Sequence, residues 1–195
     1  LEFRRVLFRS VVPARDEADV IARSIGSLID QEYPGAFRVI LVDDGSSDGT
    51  ADIARRAGAE RGSDRLTVLM APPLGPGWTG KLWAVSQGIA EAGSDLRYLW
   101  LTDADIEHAP DTLRTLVTRA EASGLKLVSL MAKLRCESLA EHALVPAFVF
   151  FFQMLYPFAR VNRPDGIGAA AGGCMLVERS ALEAAGGIAA IRGAL

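Results

Sequence analysis

Short apolar segments alternate with amphipathic ones along most of this 195-residue chain, and this alternation restricts the fold more than any other feature. Segments typical of strands lie at 10–13, 37–42, 66–70, 98–106 and 125–131, and 169–177 is typical of a small-residue turn that leads into a strand. Between them, apolar side chains recur at helical spacing, as at Ile21, Ile25, Leu28 and Ile29. The pattern indicates one α/β domain with an open, mostly parallel sheet flanked by helices. Ligands of such sheets bind beyond the carboxyl ends of the strands.

The strand at 98–106 ends in two carboxylates, Asp103 and Asp105. Because side chains alternate along extended backbone at about 3.3 Å per residue, we expect these two to point the same way, about 7 Å apart at Cα. Two hard oxygen ligands suit Mg²⁺ or Mn²⁺ better than Zn²⁺, and such an ion can hold a diphosphate. In the alternative interpretation both are turn and helix-capping residues before Pro110. This stretch alone does not decide between the two.

Two further loops and one lysine are expected at the same edge of the sheet. The loop after the first strand offers backbone groups and a carboxylate for a nucleotide base, and it consists of Pro13, Ala14, Arg15, Asp16 and Glu17. After the second strand, Asp43 and Asp44 provide acceptors for an imide N–H or ribose hydroxyls, unless they form only a turn and a helix cap. Lys81 begins a helix after a glycine-rich loop, where a diphosphate would meet it. A solvated surface lysine is the alternative.

The composition is apolar for a soluble protein, with 50% hydrophobic residues and a mean hydropathy of +0.21. The longest apolar segment, 144–158, is shorter than the about 20 residues that span a bilayer. We predict that this segment lies in the membrane interface, with a buried core helix as the alternative. The net charge of −3 gives no electrostatic basis for binding nucleic acid. Cys136 and Cys174 lack the spacing of a zinc site or a disulfide framework.

Four motifs, in this order and spacing, resemble those of family 2 inverting glycosyltransferases with a GT-A fold: VVPARDEADVI, VDDGSSDGT, GWTGKLWAV and TDADI. Individually VDDGS and DxD are modest signals, but the ordered set is strong. A closer resemblance, to the hopene-associated glycosyltransferases of bacterial hopanoid gene clusters, is carried by GWTGKLWAVSQG, SLMAKLRCES, PAFVFFFQMLYPF and AAGGCMLVERSALEAAGGIAAIRGAL. The resemblance covers residues 11–195.

This resemblance implies transfer of a sugar, with inversion, from a UDP-linked donor to a lipid-like acceptor of the hopanoid pathway. It implies a protein at the cytoplasmic face of the bacterial inner membrane. Nucleotide-sugar binding maps onto Pro13, Ala14, Arg15, Glu17, Asp43, Asp44, Lys81 and Asp103. The ligands of a divalent ion, Mg²⁺ or Mn²⁺, map onto Asp105 and Asp103. The acceptor side maps onto Gly172 and Gly173.

The chain departs from the family pattern in its acidic residues. Family members carry an acidic motif after the GG-containing helix, and its carboxylate takes the proton of the acceptor hydroxyl. Glu178 and Glu183 come too early for this role, so we expect an incomplete copy of the domain, 11–195, whose general base lies beyond Leu195. A milder departure is Asp16, which stands where the family often has Asn.

Residues 1–10, in which arginines interrupt the apolar pattern, are interpreted as a non-native extension. His108 is either a third metal ligand or, as we favour, a cap for a helix starting at Pro110.

Two functions compete with sugar transfer. One is a nucleotide-sugar-binding fragment without activity, and the other a sugar nucleotidyltransferase, which needs a glycine-rich basic loop after the first strand.

Overall fold

The computed structural model describes residues 7–134, 136–163, 166 and 168–194. Within these residues the strands are β1 (Phe8–Ala14), β2 (Phe37–Asp43), β3 (Leu66–Met70), β4 (Tyr98–Thr102), β5 (Leu127–Ser129) and β6 (Cys174–Glu178). The helices are α1 (Ile21–Ile29), α2 (Thr50–Glu60), α3 (Gly80–Glu91), α4 (Thr112–Ser123), α5 (Leu139–Leu155), α6 (Phe158–Val161) and α7 (Arg179–Ala184), followed by a 3₁₀ turn at Ile188–Ile191.

The described strands form a single sheet in the order β3-β2-β1-β4-β6-β5. The first four in that order are parallel, and β6 runs antiparallel to both of its neighbours. The predicted α/β class with an open, mostly parallel sheet is therefore confirmed. β1 lies between β2 and β4, so the strand order reverses beside it, and ligands of doubly wound sheets bind at such a point. Ala14 pairs with Asp43, which brings the loops after β1 and β2 side by side.

The central strands β1, β2 and β4 are largely buried on both faces because helices cover both sides of the sheet there. Phe8 and Val12 pack in the core shared with α1 and α4, whereas Val11 packs in the core under α3. The approach of α3 is close at Gly88, where an added Cβ would lie 2.4 Å from Cγ1 of Val11. This contact fixes the height of α3, and hence of Lys81 in its first turn, above the sheet.

The structure corrects several predicted boundaries. The strand ending in carboxylates stops at Thr102, so Asp103 and Asp105 lie in a turn and the alternation argument for their direction was wrong. The next helix begins at Thr112 rather than Pro110. Within the segment interpreted as an extension, 1–6 lie outside the described residues, and β1 begins at Phe8. Phe8 is buried and its ring stacks on that of Phe37 at 5.2 Å, while the non-native origin of 1–10 stays a prediction.

Most of the apolar segment 144–158 lies in α5. The helix begins with a capping box in which Ser138 and Glu141 each accept from the other's backbone N–H. All residues of α5 belong to the described part of the chain and none of them is buried, so α5 is not a helix of the core that the described residues form. The membrane-interface position stays a prediction. Phe150 is 66% exposed and Phe151 58% exposed. Among the described helices, none is both long and apolar enough to traverse a bilayer.

Candidate functional site

A cavity of about 360 Å³ opens where β1, β2 and β4 end. Eight residues that the sequence assigned to nucleotide or metal binding line it together with Ala104: Pro13, Ala14, Arg15, Glu17, Asp44, Lys81, Asp103 and Asp105. Three loops that are far apart in the chain thus meet at one edge of the sheet, and α3 adds its first turn. The structure brings these residues together as expected from their places at strand ends.

Hydrogen bonds lock the first loop to the second. Ser46 Oγ accepts from the backbone N–H of Asp16 at 2.9 Å, and Thr50 Oγ1 accepts from that of Glu17 at 2.8 Å. Asp16 adopts a left-handed conformation with φ of 53°, and its Oδ1 accepts from the N–H of Ser47 at 2.8 Å. Asn and Asp tolerate this conformation better than other side chains, which explains why either residue serves at this position. Hydrogen bonds within the protein therefore define the shape of this loop.

The two aspartates after β2 have different surroundings. Asp43 is not among the described residues that line the cavity; it is buried, and its Oδ1 accepts from the N–H of Ser46 at 2.8 Å. Asp44 faces the cavity, where its Oδ2 lies 3.6 Å from Nη1 of Arg15. A Cβ at Gly80 would lie 2.4 Å from Oδ2 of Asp44, so a side chain at position 80 would displace this carboxylate. Asp44 thus faces the cavity, and Asp43 shapes the turn behind it.

Asp103 and Asp105 both face the cavity, although the turn rather than strand alternation directs them there. Nζ of Lys81 lies 2.6 Å from Oδ1 of Asp103. The backbone N–H of Asp103 donates to the carbonyl of Gly173 at 3.1 Å, which ties the turn to the start of β6. The basic group expected beside a diphosphate is therefore present, and it is paired with an aspartate.

The cavity is electrostatically negative. The pKa of Glu17 is raised, first by partial burial and then by Asp105, Asp48 and Asp103, while Lys81 opposes the shift. Over the described ranges, no group of three or more His, Cys, Asp or Glu side chains is arranged to hold a metal alone. Mg²⁺, however, is commonly bound by one or two carboxylates together with substrate phosphates. Asp103 and Asp105 fit an ion that is held jointly with a diphosphate.

His108 is neither a metal ligand nor a helix cap, because it is buried against the sheet. Its ring lies 4.7 Å from that of Trp100, and its Nε2 lies 2.8 Å from Oγ1 of Thr102. Burial lowers its pKa to about 4, so the ring is neutral. Thr102 Oγ1 donates to the carbonyl of Gly173 at 3.0 Å, which leaves the hydroxyl free to accept from the histidine. The sequence alone did not predict this link between His108 and Thr102, although the threonine directly before Asp103 was an available signal.

A second cavity, of about 550 Å³, opens beside the first. It lies between the end of β5, the small residues 168–172, and the helices α5 and α6. Gly172 lines it, and a Cβ at Gly173 would lie 3.6 Å from Oδ2 of Asp103. The two glycines predicted on the acceptor side therefore lie where the two cavities adjoin.

Solved structures of nucleotide-sugar enzymes share this architecture. The mannosyltransferase PcManGT from Pyrobaculum calidifontis, in complex with GDP-Man and Mn²⁺, aligns with a TM-score of 0.68 and 23% identity over 92% of this chain and 46% of that one. TarS from S. aureus, in complex with UDP-GlcNAc, aligns with a TM-score of 0.54 and 21% identity over 68% of this chain and 36% of that one. The fold is thus that of the GT-A nucleotide-sugar transferases.

Residues 10–186 match the family model described as Glycosyl transferase family 2, and the chain belongs to this family. A sequence relative is the 4,4'-diaponeurosporenoate glycosyltransferase of Staphylococcus aureus, 31% identical over 127 residues, which are 65% of this chain and 31% of the relative. The chain therefore spans about a third of the length of the curated relatives that it matches. Membership in this family sets aside the nucleotidyltransferase alternative.

Proposed function

We propose that the protein transfers a sugar from a nucleotide-diphosphate donor, UDP-linked, to a lipid-like acceptor, with inversion and with dependence on Mg²⁺ or Mn²⁺. The observation that carries this proposal is the convergence of three loops and Lys81 on one cavity. The GDP-Man and UDP-GlcNAc complexes of the fold neighbours support a nucleotide-sugar as donor. The name of the relative, which contains a carotenoid acid, supports an apolar acceptor.

The donor's parts match the groups around the cavity. Base and ribose need hydrogen-bond partners in a fixed geometry, and the loop at 13–17 is held in place by bonds to Ser46 and Thr50. Asp44 offers carboxylate oxygens to hydroxyl groups of the ribose. The diphosphate falls to the side of Lys81, whose ammonium group is the cation that faces Asp103. In this arrangement the diphosphate, which is the leaving group, lies at the edge of the donor cavity next to Gly173.

A divalent ion bound by Asp103 and Asp105 would neutralise the negative charge that develops on the diphosphate. The hydroxyl oxygen of the acceptor forms a bond to the anomeric carbon while that carbon's bond to the diphosphate oxygen breaks, which inverts its configuration. Resemblance to inverting enzymes assigns the proton of the hydroxyl to a carboxylate that acts as general base. The resemblance to hopene-associated enzymes supports an acceptor of the hopanoid pathway and action at the cytoplasmic face of the inner membrane. The exposed aromatic side chains of α5 support contact with a membrane surface.

The decisive experiment replaces Asp105 by Asn in the full-length protein and measures sugar transfer with Mn²⁺ present. We expect a loss of about 10²-fold or more, because one group that stabilises transition-state charge is removed. Asp52→Asn is the matched control, since Asp52 pairs with Arg55 at 2.8 Å on the exposed face of α2. Full turnover by the Asp105 variant would exclude it as a metal ligand.

A second candidate is a nucleotide-sugar-binding fragment that does not transfer. The chain spans 31% of the length of the sequence relative. That share favours a fragment whose transfer activity requires residues outside the aligned part. Such a fragment saturates with UDP and Mn²⁺ in titration calorimetry and releases no UDP from a UDP-sugar in the presence of an alcohol. Extending the chain by its downstream residues separates the two functions, since only the first candidate gains transfer.

A further inference from the structure

The second cavity has a wall chemistry unlike that of the donor cavity. Carboxylates dominate the donor cavity, whereas the larger one contains no charged side chain among its described lining residues. Its large apolar side chains are Leu130, Met131, Phe152, Phe158 and Val161, and its polar ones are Ser129, Tyr156 and Asn162. At about 550 Å³ it falls within the range of cavities that enclose small organic ligands. Its chemistry and size suit the hydrocarbon body of a molecule rather than a sugar or a nucleotide.

Hydrogen bonds from backbone N–H groups hold one wall of this cavity to the sheet. The N–H of Ala171 donates to Oγ of Ser129 at 3.1 Å, and the N–H of Leu130 donates to the carbonyl of Cys174 at 3.0 Å. The small residues 168–172 form this wall without filling the space with side chains. The wall then continues through Gly173, whose carbonyl accepts from both Asp103 and Thr102. Gly173 therefore lies between Gly172, which lines the apolar cavity, and Asp103, which lines the donor cavity.

We propose that this cavity binds the apolar body of the acceptor, a long-chain or polycyclic alcohol, with its hydroxyl group directed past Gly172 and Gly173 toward Asp103. The inference rests on the proposed function, which supplies the sugar at that end. Phe152 of α5 lines the cavity, whereas Phe150 is 66% exposed and does not. The helix thus presents one aromatic side chain to the acceptor and others to the surroundings from which an apolar acceptor enters.

The test uses the full-length protein and a pyrene-labelled dodecanol, whose binding is measured by fluorescence polarisation. Ala169→Trp fills the cavity, and Met131→Glu places a charge in its wall without adding much volume. We expect each change to weaken binding of the alcohol at least tenfold and to leave the calorimetric affinity for UDP with Mn²⁺ unchanged. The control Ala59→Trp makes the same change as Ala169→Trp at an exposed position of α2 that lines neither cavity, and it should change neither affinity.

Alcohol affinity equal to that of the unmodified protein in both folded variants would overturn the proposal. A fall in melting temperature without a change in alcohol affinity would overturn it as well, because it would mean that another segment of the protein fills the cavity. Failure of the donor site gives a different result: an unmodified protein that binds the alcohol but not UDP refutes the proposed donor and retains the apolar site.

Discussion

At the scale of single residues, the ion pair between Lys81 and Asp103 has a consequence for metal binding. The ammonium group lies 2.6 Å from the carboxylate that is expected to meet the ion, so lysine and metal compete for the same oxygen. Lys81 is 60% exposed, and exposed pairs contribute only about 0.2–1 kcal/mol. Lys81→Met should therefore raise the affinity for Mn²⁺ alone about two- to fivefold, as measured by electron paramagnetic resonance.

The same variant should bind UDP with Mn²⁺ about tenfold or more weakly, because hydrogen bonds to charged groups contribute about 1.5–3 kcal/mol. Lys126→Met is a suitable control, since Lys126 pairs with Glu178 and lies away from the cavity. Weaker binding of Mn²⁺ alone by the Lys81 variant would show that the lysine assists the metal site rather than competing with it.

The buried ring of His108 predicts a pH dependence of stability. Its folded-state pKa of about 4 lies below the ordinary histidine value of 6.5, so the unfolded chain binds the proton more readily. The stabilisation from a neutral ring is complete above about pH 6.5 and is lost as the pH falls toward 4, by at most about 3 kcal/mol. Urea denaturation at several pH values should show this loss in the unmodified protein.

His108→Gln keeps a donor for Oγ1 of Thr102 but does not titrate, so the difference in stability between the two proteins should shrink from pH 7 to pH 4. A constant difference would contradict a depressed pKa. Apart from Thr102, nothing in the sequence indicated this environment, because His108 follows the candidate ligand Asp105 by three positions and its packing against Trp100 comes from the tertiary fold. The shared cavity of Asp103 and Asp105 was predictable, although the turn that directs them was not.

At the scale of elements, the strands of the parallel half were predictable from their apolar runs and the polar loops that follow them. Direction was not predictable for β6, since an apolar run has the same composition in either orientation and β6 proved antiparallel to β4. Helix ends shifted where local signals competed, as at Pro110, which lies in the turn before Asp111 and α4. Local sequence chemistry therefore predicted which strands and helices exist better than it predicted where they begin and end or in which direction they run.

The exposed face of α5 gives a prediction at this scale. Burial of one phenylalanine side chain contributes about 1.5–3 kcal/mol, so two that enter a lipid interface together dominate its affinity. Replacing Phe150 and Phe151 by Ser should lower partitioning onto liposomes of anionic phospholipid at least tenfold in a sedimentation assay. Leu74→Ser, at a side chain 56% exposed in the loop after β3, should have little effect. Partitioning that survives the double substitution would place the contact elsewhere on the protein.

At the scale of the whole molecule, the site exists because the strand order places β1 between β2 and β4. The sequence predicted that polar loops follow strands. Which of those loops lie side by side depends on the order of the strands in the sheet, and this order comes from the packing of the whole fold. The same applies to the apolar cavity, whose walls come from β5, α5, α6 and the segment before β6. Its residues are distant in the chain and share no motif, so only the fold reveals that they meet.

The packing of α3 on β1 connects the core to the site and gives the last prediction. Replacing Gly88 by Ala improves helix propensity by about 1 kcal/mol, but the new Cβ would lie 2.4 Å from Val11 and 3.1 Å from Val42. Overpacking of a filled core costs about 1–3 kcal/mol, so the clash should exceed the gain and the free energy of unfolding in urea should fall.

Relief of the clash moves α3 outward and carries Lys81 away from Asp103, so the affinity of Gly88→Ala for UDP with Mn²⁺ should fall as well. Ala90→Ser, at an exposed position of the same helix, should change neither quantity. An alanine variant that is more stable than the unmodified protein would mean that the sheet accommodates the methyl group. The height of α3 would then not be fixed by this contact, and the position of Lys81 would depend on the loop before it.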